Sequence, residues 1–158
     1  MKESLFYKNA STALFQEKNR LDFFCKTLDQ APKEKKAKIA EYKCAKFRYA
    51  TVCRIYMLLY HGNRVYQMSA IHLDIENTLK QREEYSVILE NAPIDEKLDF
   101  KLYYGISAIA EELLTQSQKK LETANDWEKI ELEERIGGLQ FAKACLDEAW
   151  LKRKDVTE

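Results

Sequence analysis

The chain contains little that would interrupt a helix. Among its 158 residues are only four Gly and two Pro, the residues least compatible with helix interiors. No stretch alternates apolar and polar residues between turn signals, so no segment is predicted as a β-strand. With 46% apolar residues the chain is long enough to bury a core without disulfides. The sequence therefore predicts an all-α protein and a single helical domain over residues 1–158.

Several kinds of functional site also lack support. There is no Gly-rich phosphate-binding loop and no G-x-S-x-G elbow for a nucleophilic serine. The four Cys form no C-x-x-C pair, and we interpret them as reduced core thiols. We therefore expect no metal and no cofactor. The longest run of large apolar residues covers only positions 55–60 and no secretory leader is evident, so we expect a cytoplasmic protein without membrane contact.

The few helix-breaking residues divide the chain into five predicted helices. Apolar residues recur every three or four positions between the breaks, which indicates amphipathic helices. The breaks are Ala31-Pro32, Gly62-Asn63, Ala92-Pro93 and the polar stretch 122–126. The predicted helices cover about residues 3–30, 33–61, 64–90, 94–121 and 127–152. Their short connections favour an up-and-down bundle of long antiparallel helices.

Two of the breaks resemble each other. Residues 28–36 and 89–97 both place Ala-Pro at the same point of a similar apolar and polar pattern, at an offset of 61 residues. This offset is about the length of one long helical hairpin. A bundle built from two related hairpins is therefore an alternative description of the same fold.

The fifth predicted helix contains an adjacent glycine pair, Gly137-Gly138. Each glycine should cost the helix about 1 kcal/mol relative to alanine. Gly138, Ala142, Cys145 and Ala149 form one face of small side chains. We expect this face to let a neighbouring helix approach closely, with a kink as the alternative.

Charge is balanced over the chain but separated along it. The chain has 26 Lys and Arg residues and 26 Asp and Glu residues, so the protein as a whole has no net positive charge that would attract nucleic acid. The second predicted helix carries eight basic and two acidic residues, a net charge of +6, whereas residues 83–150 carry sixteen acidic and seven basic residues, a net charge of −9. Either the basic helix packs beside acidic helices, or it faces an anionic partner.

The second predicted helix also carries a stripe of tyrosines. Tyr42, Tyr49 and Tyr56 recur at intervals of seven, which places them on one side of the helix. Such a stripe is typical of the edge of a bundle core or of a protein interface. We predict a site for a protein partner formed by Lys35, Lys36, Tyr42, Lys43, Lys46, Tyr49 and Tyr56. The alternative is nucleic-acid binding by the basic residues of this helix, with Tyr42 and Tyr49 stacking on bases: Lys33, Lys35, Lys36, Lys38, Lys43 and Lys46.

Arg54 and His61 lie on another face of the same helix, two turns apart. An Arg followed by four to six residues and a His, in a small all-helical domain, resembles the motif of the HEPN ribonucleases. The resemblance implies RNA cleavage across a dimer, with His61 as the acid/base group and Arg54 stabilising phosphate charge. This chain differs from that family in having the apolar Ile55 after the Arg and in carrying the motif early. Without catalysis, Arg54 pairs with a carboxylate and His61 lies at the helix end before Gly62.

The function we predict from the sequence is therefore non-enzymatic. The protein is expected to be an interaction or regulatory protein whose second helix binds a protein partner. A metal-independent ribonuclease using Arg54 and His61 is the first alternative, and nucleic-acid binding through the lysines is the second. A homodimer is compatible with all three functions.

Overall fold

The fold is a bundle of helices. The computed structural model describes residues 3–29, 39–66 and 70–154, but not the side chains at 28–29, 39–44, 65 and 70–72. Within these ranges it contains six α-helices, one short 3₁₀ turn and no strand, which confirms the all-α prediction. The helices are α1 (Leu5–Asp29), α2 (Ile39–Val65), α3 (Ala70–Lys80), α4 (Glu83–Glu90), α5 (Lys97–Leu121) and α6 (Asp126–Leu151), with the 3₁₀ turn at Ile94–Glu96.

Four long helices, α1, α2, α5 and α6, enclose most of the core. The helix α1 runs antiparallel to α2, and α5 runs antiparallel to α6. The contacts that define these directions pair Phe15 with Tyr56, Lys18 with Tyr49, Tyr103 with Asp147, and Glu111 with Lys143. The largest fully buried side chains come from α1, α2, α3, α5 and α6: Phe6, Leu14, Val52, Ile55, Leu59, Ile75, Leu102, Ile106 and Leu146.

The glycine pair of α6 lies where α6 packs along α2. A Cβ at Gly138 would lie 3.1 Å from the Cβ of Thr51, so the small residue lets the two helices approach closely, as the sequence predicted. Gly137 leaves room for the guanidinium of Arg48, whose Nε lies 3.4 Å from a carboxylate oxygen of Glu134. The helix α6 continues through both glycines. The basic α2 therefore packs beside the acidic α6.

Gly62 does not end α2, contrary to the sequence prediction. The helix continues to Val65, and Gly62 is buried inside it. No glycine of the described residues has a positive φ, so Gly62 does not form a left-handed cap. A Cβ at this position would lie 2.6 Å from Cδ2 of Leu102 on α5. Gly62 is therefore a site of close helix packing, and His61 lies a full turn before the helix end.

The predicted third helix, residues 64–90, is two helices in the structure. The helices α3 and α4 meet at Gln81 and Arg82, where Arg82 is extended with φ −124° and ψ 93°. Arg82 Nη1 lies 2.8 Å from Oε2 of Glu111 on α5, and the ring of Tyr85 packs 5.0 Å from that of Tyr104. The break turns α4 back along α5. No Gly or Pro marks this turn, so the sequence did not predict it.

Other predictions are only partly covered by the described residues. Ala92-Pro93 precedes the 3₁₀ turn and α5, whereas Ala31-Pro32 lies outside the described residues. The relation between two hairpins therefore stays a prediction, as does the single domain. None of the helices, as far as the structure describes them, is both long and apolar enough to cross a membrane.

Asp99 in the first turn of α5 provides a pH-dependent prediction. Burial raises the pKa of its carboxyl, although the hydroxyl of Ser4 donates a 2.9 Å hydrogen bond to it. Because the folded state holds this proton more tightly than the unfolded state, ionisation of Asp99 costs stability as pH rises above about 4. We expect Asp99→Asn to raise the free energy of unfolding at pH 7 and to lose this advantage below about pH 4.

Urea unfolding of both proteins between pH 3 and pH 8 measures this difference. The amide oxygen of Asn can still accept the hydrogen bond from Ser4, so the helix start should persist. An advantage for Asp99→Asn that is independent of pH would contradict the role of the carboxyl charge.

Candidate functional site

The residues predicted to bind a partner are only partly described by the structure. Lys35 and Lys36 lie outside the described residues, and the side chains of Tyr42 and Lys43 are not described. The described members are Lys46, which is exposed, and Tyr49 and Tyr56, which are half-buried.

Tyr49 and Tyr56 face α1, where they join a row of rings and cations. The ring centroids of Phe15 and Tyr56 lie 5.7 Å apart, and Tyr56 stacks on Tyr60 at 5.8 Å. Lys18 Nζ lies 5.5 Å from the ring of Phe15 and 5.9 Å from that of Tyr49. The guanidinium of Arg64 lies 5.1 Å from the ring of Tyr60 and donates a hydrogen bond to its hydroxyl. We call this row the aromatic ladder: Phe15, Lys18, Tyr49, Tyr56, Tyr60 and Arg64.

The ladder remains accessible although its rings pack together. Phe15 is 44% exposed, so part of its ring is available to a partner. The pKa values of the Tyr49 and Tyr56 phenols are raised, mainly because both groups are partly buried. Both hydroxyls therefore stay protonated at neutral pH and can donate hydrogen bonds.

The cations of the ladder are held by rings. Among the described residues neither Lys18 nor Arg64 has an ion pair, whereas Lys26 on α1 is paired with Asp22 at 3.0 Å. A cation over a ring keeps most of its charge available to a third group. The ladder therefore presents positive charge, phenol donors and an exposed phenyl ring on one surface.

Arg54 is exposed, and among the described residues no carboxylate lies within ion-pairing distance of it. The expected pairing of Arg54 with a carboxylate is therefore wrong. Its place on the outward side of α2 leaves it facing a groove between α2, α3 and α5.

His61 is half-buried, and its ring packs edge-on to Tyr60 at 5.3 Å. Because α2 continues to Val65, the expectation that His61 ends its helix is also wrong. His61 and Arg54 lie about 10 Å apart along α2. His61 touches the aromatic ladder, whereas Arg54 lines the groove.

Four of the six ladder residues were not in the site predicted from the sequence: Phe15, Lys18, Tyr60 and Arg64. Phe15 and Lys18 lie on α1, and the pattern of one helix does not reveal which face of another helix covers it. The sequence does contain one sign that Phe15 lies on the surface. Phe15 directly follows the core residue Leu14, so it falls outside the spacing of three and four that marks the buried face of α1. Arg64 was missed because α2 was predicted to end before it.

Comparisons with known proteins add no family to this description. No protein-family model, no curated protein and no solved structure matches the chain. Within the part of the chain that the structure describes, no group of three or more His, Cys, Asp or Glu side chains is arranged to hold a metal ion. The likeness to the HEPN ribonucleases remains a resemblance of two residues, Arg54 and His61.

Proposed function

We propose that this protein is a non-enzymatic interaction protein that binds a protein partner through the aromatic ladder. Acidic side chains of the partner meet Lys18 and Arg64, and an apolar side chain covers Phe15. The observation that supports this proposal is the row of three tyrosines, one exposed phenylalanine and two cations without ion pairs along α1 and α2.

The composition of the ladder favours a protein partner. Tyr, Phe and Arg are enriched at the centres of protein interfaces, because rigid rings bury a large area at a low cost in conformational entropy. The positive charges of Lys18 and Arg64 complement carboxylates, and the phenol groups of Tyr49 and Tyr56 can also donate hydrogen bonds to carboxylates. The partner surface is therefore expected to be acidic around an apolar centre.

Nucleic-acid binding is less well supported by the same contacts. Base stacking requires free ring faces, but Tyr56 and Tyr60 stack on each other and Lys18 lies over Phe15. The chain also carries equal numbers of acidic and basic residues. The lysine-rich start of the second predicted helix lies largely outside the described residues. Binding of nucleic acid is therefore measured alongside binding of a protein partner.

A ribonuclease is the second candidate function. The observation that favours it is Arg54, which is exposed and, within the described chain, has no ion pair. An arginine in this state is available to a phosphate. A partner copy would have to bring a second His61 towards Arg54, because the two residues of one chain lie two turns apart.

The test of the proposed function uses the full chain, immobilised and incubated with nuclease-treated lysate of its native host. A captured protein is purified, and its affinity for variants of the ladder is then measured by calorimetry. We expect Phe15→Ala and Arg64→Glu each to weaken binding at least tenfold, because central interface residues contribute about 1.4 kcal/mol or more. Phe23→Ala is the matched control, since Phe23 is exposed on α1 outside the ladder.

Three results would overturn the proposal. The first is equal affinity for the wild type, Phe15→Ala and Arg64→Glu. The second is binding of single-stranded RNA or DNA whose affinity falls steeply with salt and depends on Lys46, which would favour the nucleic-acid alternative. The third is RNA cleavage that His61→Ala abolishes at unchanged stability, which would identify a ribonuclease.

A further inference from the structure

A groove lies on the side of α2 that carries Arg54, roughly 140° around the helix from the tyrosine stripe. Its apolar floor is formed by Leu58 of α2 and by Ile109 and Leu113 of α5. The groove has a volume of about 390 Å³, which is within the range of small-molecule sites.

The three helices that line the groove pack tightly against one another. Ile75 of α3 is fully buried against Gly62 of α2 and Gly105 of α5. Arg54 lies eight residues before Gly62, so it is about 12 Å along α2 from this packing contact. All lining residues except Gln81 belong to helices, which hold their side chains in a preformed arrangement.

Charges of both signs line the groove without neutralising each other. Arg54 projects from α2, Asp74 from α3 and Glu112 from α5. None of the three has an ion pair within the described ranges of the chain. An anionic ligand would meet Arg54 but also two carboxylates, and a cationic ligand would meet both carboxylates but also Arg54. A ligand with one charge of each sign satisfies all three groups.

We propose that this groove binds an apolar amino acid or a short apolar peptide with free ends. The ligand carboxylate pairs with Arg54, and its ammonium group pairs with both Asp74 and Glu112. The apolar side chain lies on Leu58, Ile109 and Leu113. Side-chain amides on the rim supply both donors and acceptors for a peptide group: Asn77, Gln81 and Gln116. This site is separate from the aromatic ladder and does not depend on the proposed function.

The test titrates the full chain, labelled with ¹⁵N, with L-leucine and with L-leucyl-L-leucine. Two analogues of leucine isolate each charge: 4-methylpentanoate lacks the ammonium group, and 3-methylbutylamine lacks the carboxylate. We expect saturable shifts of amide resonances around the groove with leucine or the dipeptide. Each single-charge analogue should bind about tenfold more weakly or not at all, because it leaves one charged contact unmade.

Two neutralising variants test the contacts separately. Arg54→Gln and Asp74→Asn should each weaken binding of the zwitterion about tenfold. Both positions are exposed, so the variants are expected to fold, and thermal unfolding verifies this. Arg20→Gln is the matched control, since Arg20 is exposed on α1 and pairs with Glu17.

Saturation by the dipeptide alone supports a peptide ligand, and saturation by leucine supports a free amino acid. The proposal is overturned if neither probe produces saturable shifts up to millimolar concentration. It is also overturned if leucine and its two single-charge analogues bind equally, because the groove would then recognise only the apolar body.

Discussion

Phe6→Ala is expected to lower the free energy of unfolding by about 3–5 kcal/mol, the cost of truncating a fully buried phenylalanine. Phe6 is 1% exposed, and its ring packs edge-on to Tyr103 at 5.9 Å and to Trp150 at 5.4 Å. Its removal leaves a cavity where α1, α5 and α6 meet. Urea unfolding followed by far-UV circular dichroism measures the loss.

The matched control for Phe6→Ala is Phe23→Ala on the same helix. Phe23 is 73% exposed, so its truncation should change the free energy of unfolding by no more than about 0.5 kcal/mol. If Phe6→Ala proves too unstable to purify, Phe6→Leu keeps most of the volume and should lose less. Equal losses at positions 6 and 23 would contradict the assigned burial.

Gly105→Ala is expected to destabilise the protein by about 1–3 kcal/mol through overpacking. A Cβ at Gly105 would overlap Cγ2 of Ile75, whose side chain is fully buried and branched at Cβ. Neither α3 nor the branched side chain can move aside cheaply. The loss is measured by urea unfolding, and it should be smaller in a background of Ile75→Ala, which removes the overlapping methyl group.

Gly137→Ala is the same substitution in another helix interior, and the opposite sign is expected. Its Cβ would meet Nη2 of Arg48, the end of a long side chain that is partly exposed. The guanidinium can move, so the higher helix propensity of alanine should stabilise the protein by up to about 1 kcal/mol. A large loss at position 137 would show instead that Arg48 cannot move from its place over α6.

Much of the fold followed from the sequence because helix signals are local. Apolar residues at intervals of three and four predicted the long helices, and the polar stretch 122–126 marked the start of α6. Asn125 belongs to that stretch and caps α6, because its side chain accepts a 2.9 Å hydrogen bond from the amide of Glu128. These features depend on residues within one or two turns of each other.

The candidate site was less predictable because it is formed by two helices. The interval of seven identified Tyr49 and Tyr56, but their neighbours Phe15 and Lys18 belong to α1. Arg54 and His61 were identified as one candidate pair, yet each faces different surroundings in the structure. A shared helix face does not imply shared contacts when the residues are two turns apart.

The sequence by itself determined that this protein is helical, where most helices lie and that α2 is basic. Only the tertiary structure decided what each interruption does. The helix α2 continues through Gly62, where Leu102 of α5 packs in the space that a side chain would need. The helix α3 ends before Gln81 and Arg82, although neither residue is Gly or Pro. The physical reason is that helix propensity amounts to about 1 kcal/mol per residue, which packing against a neighbouring helix readily exceeds.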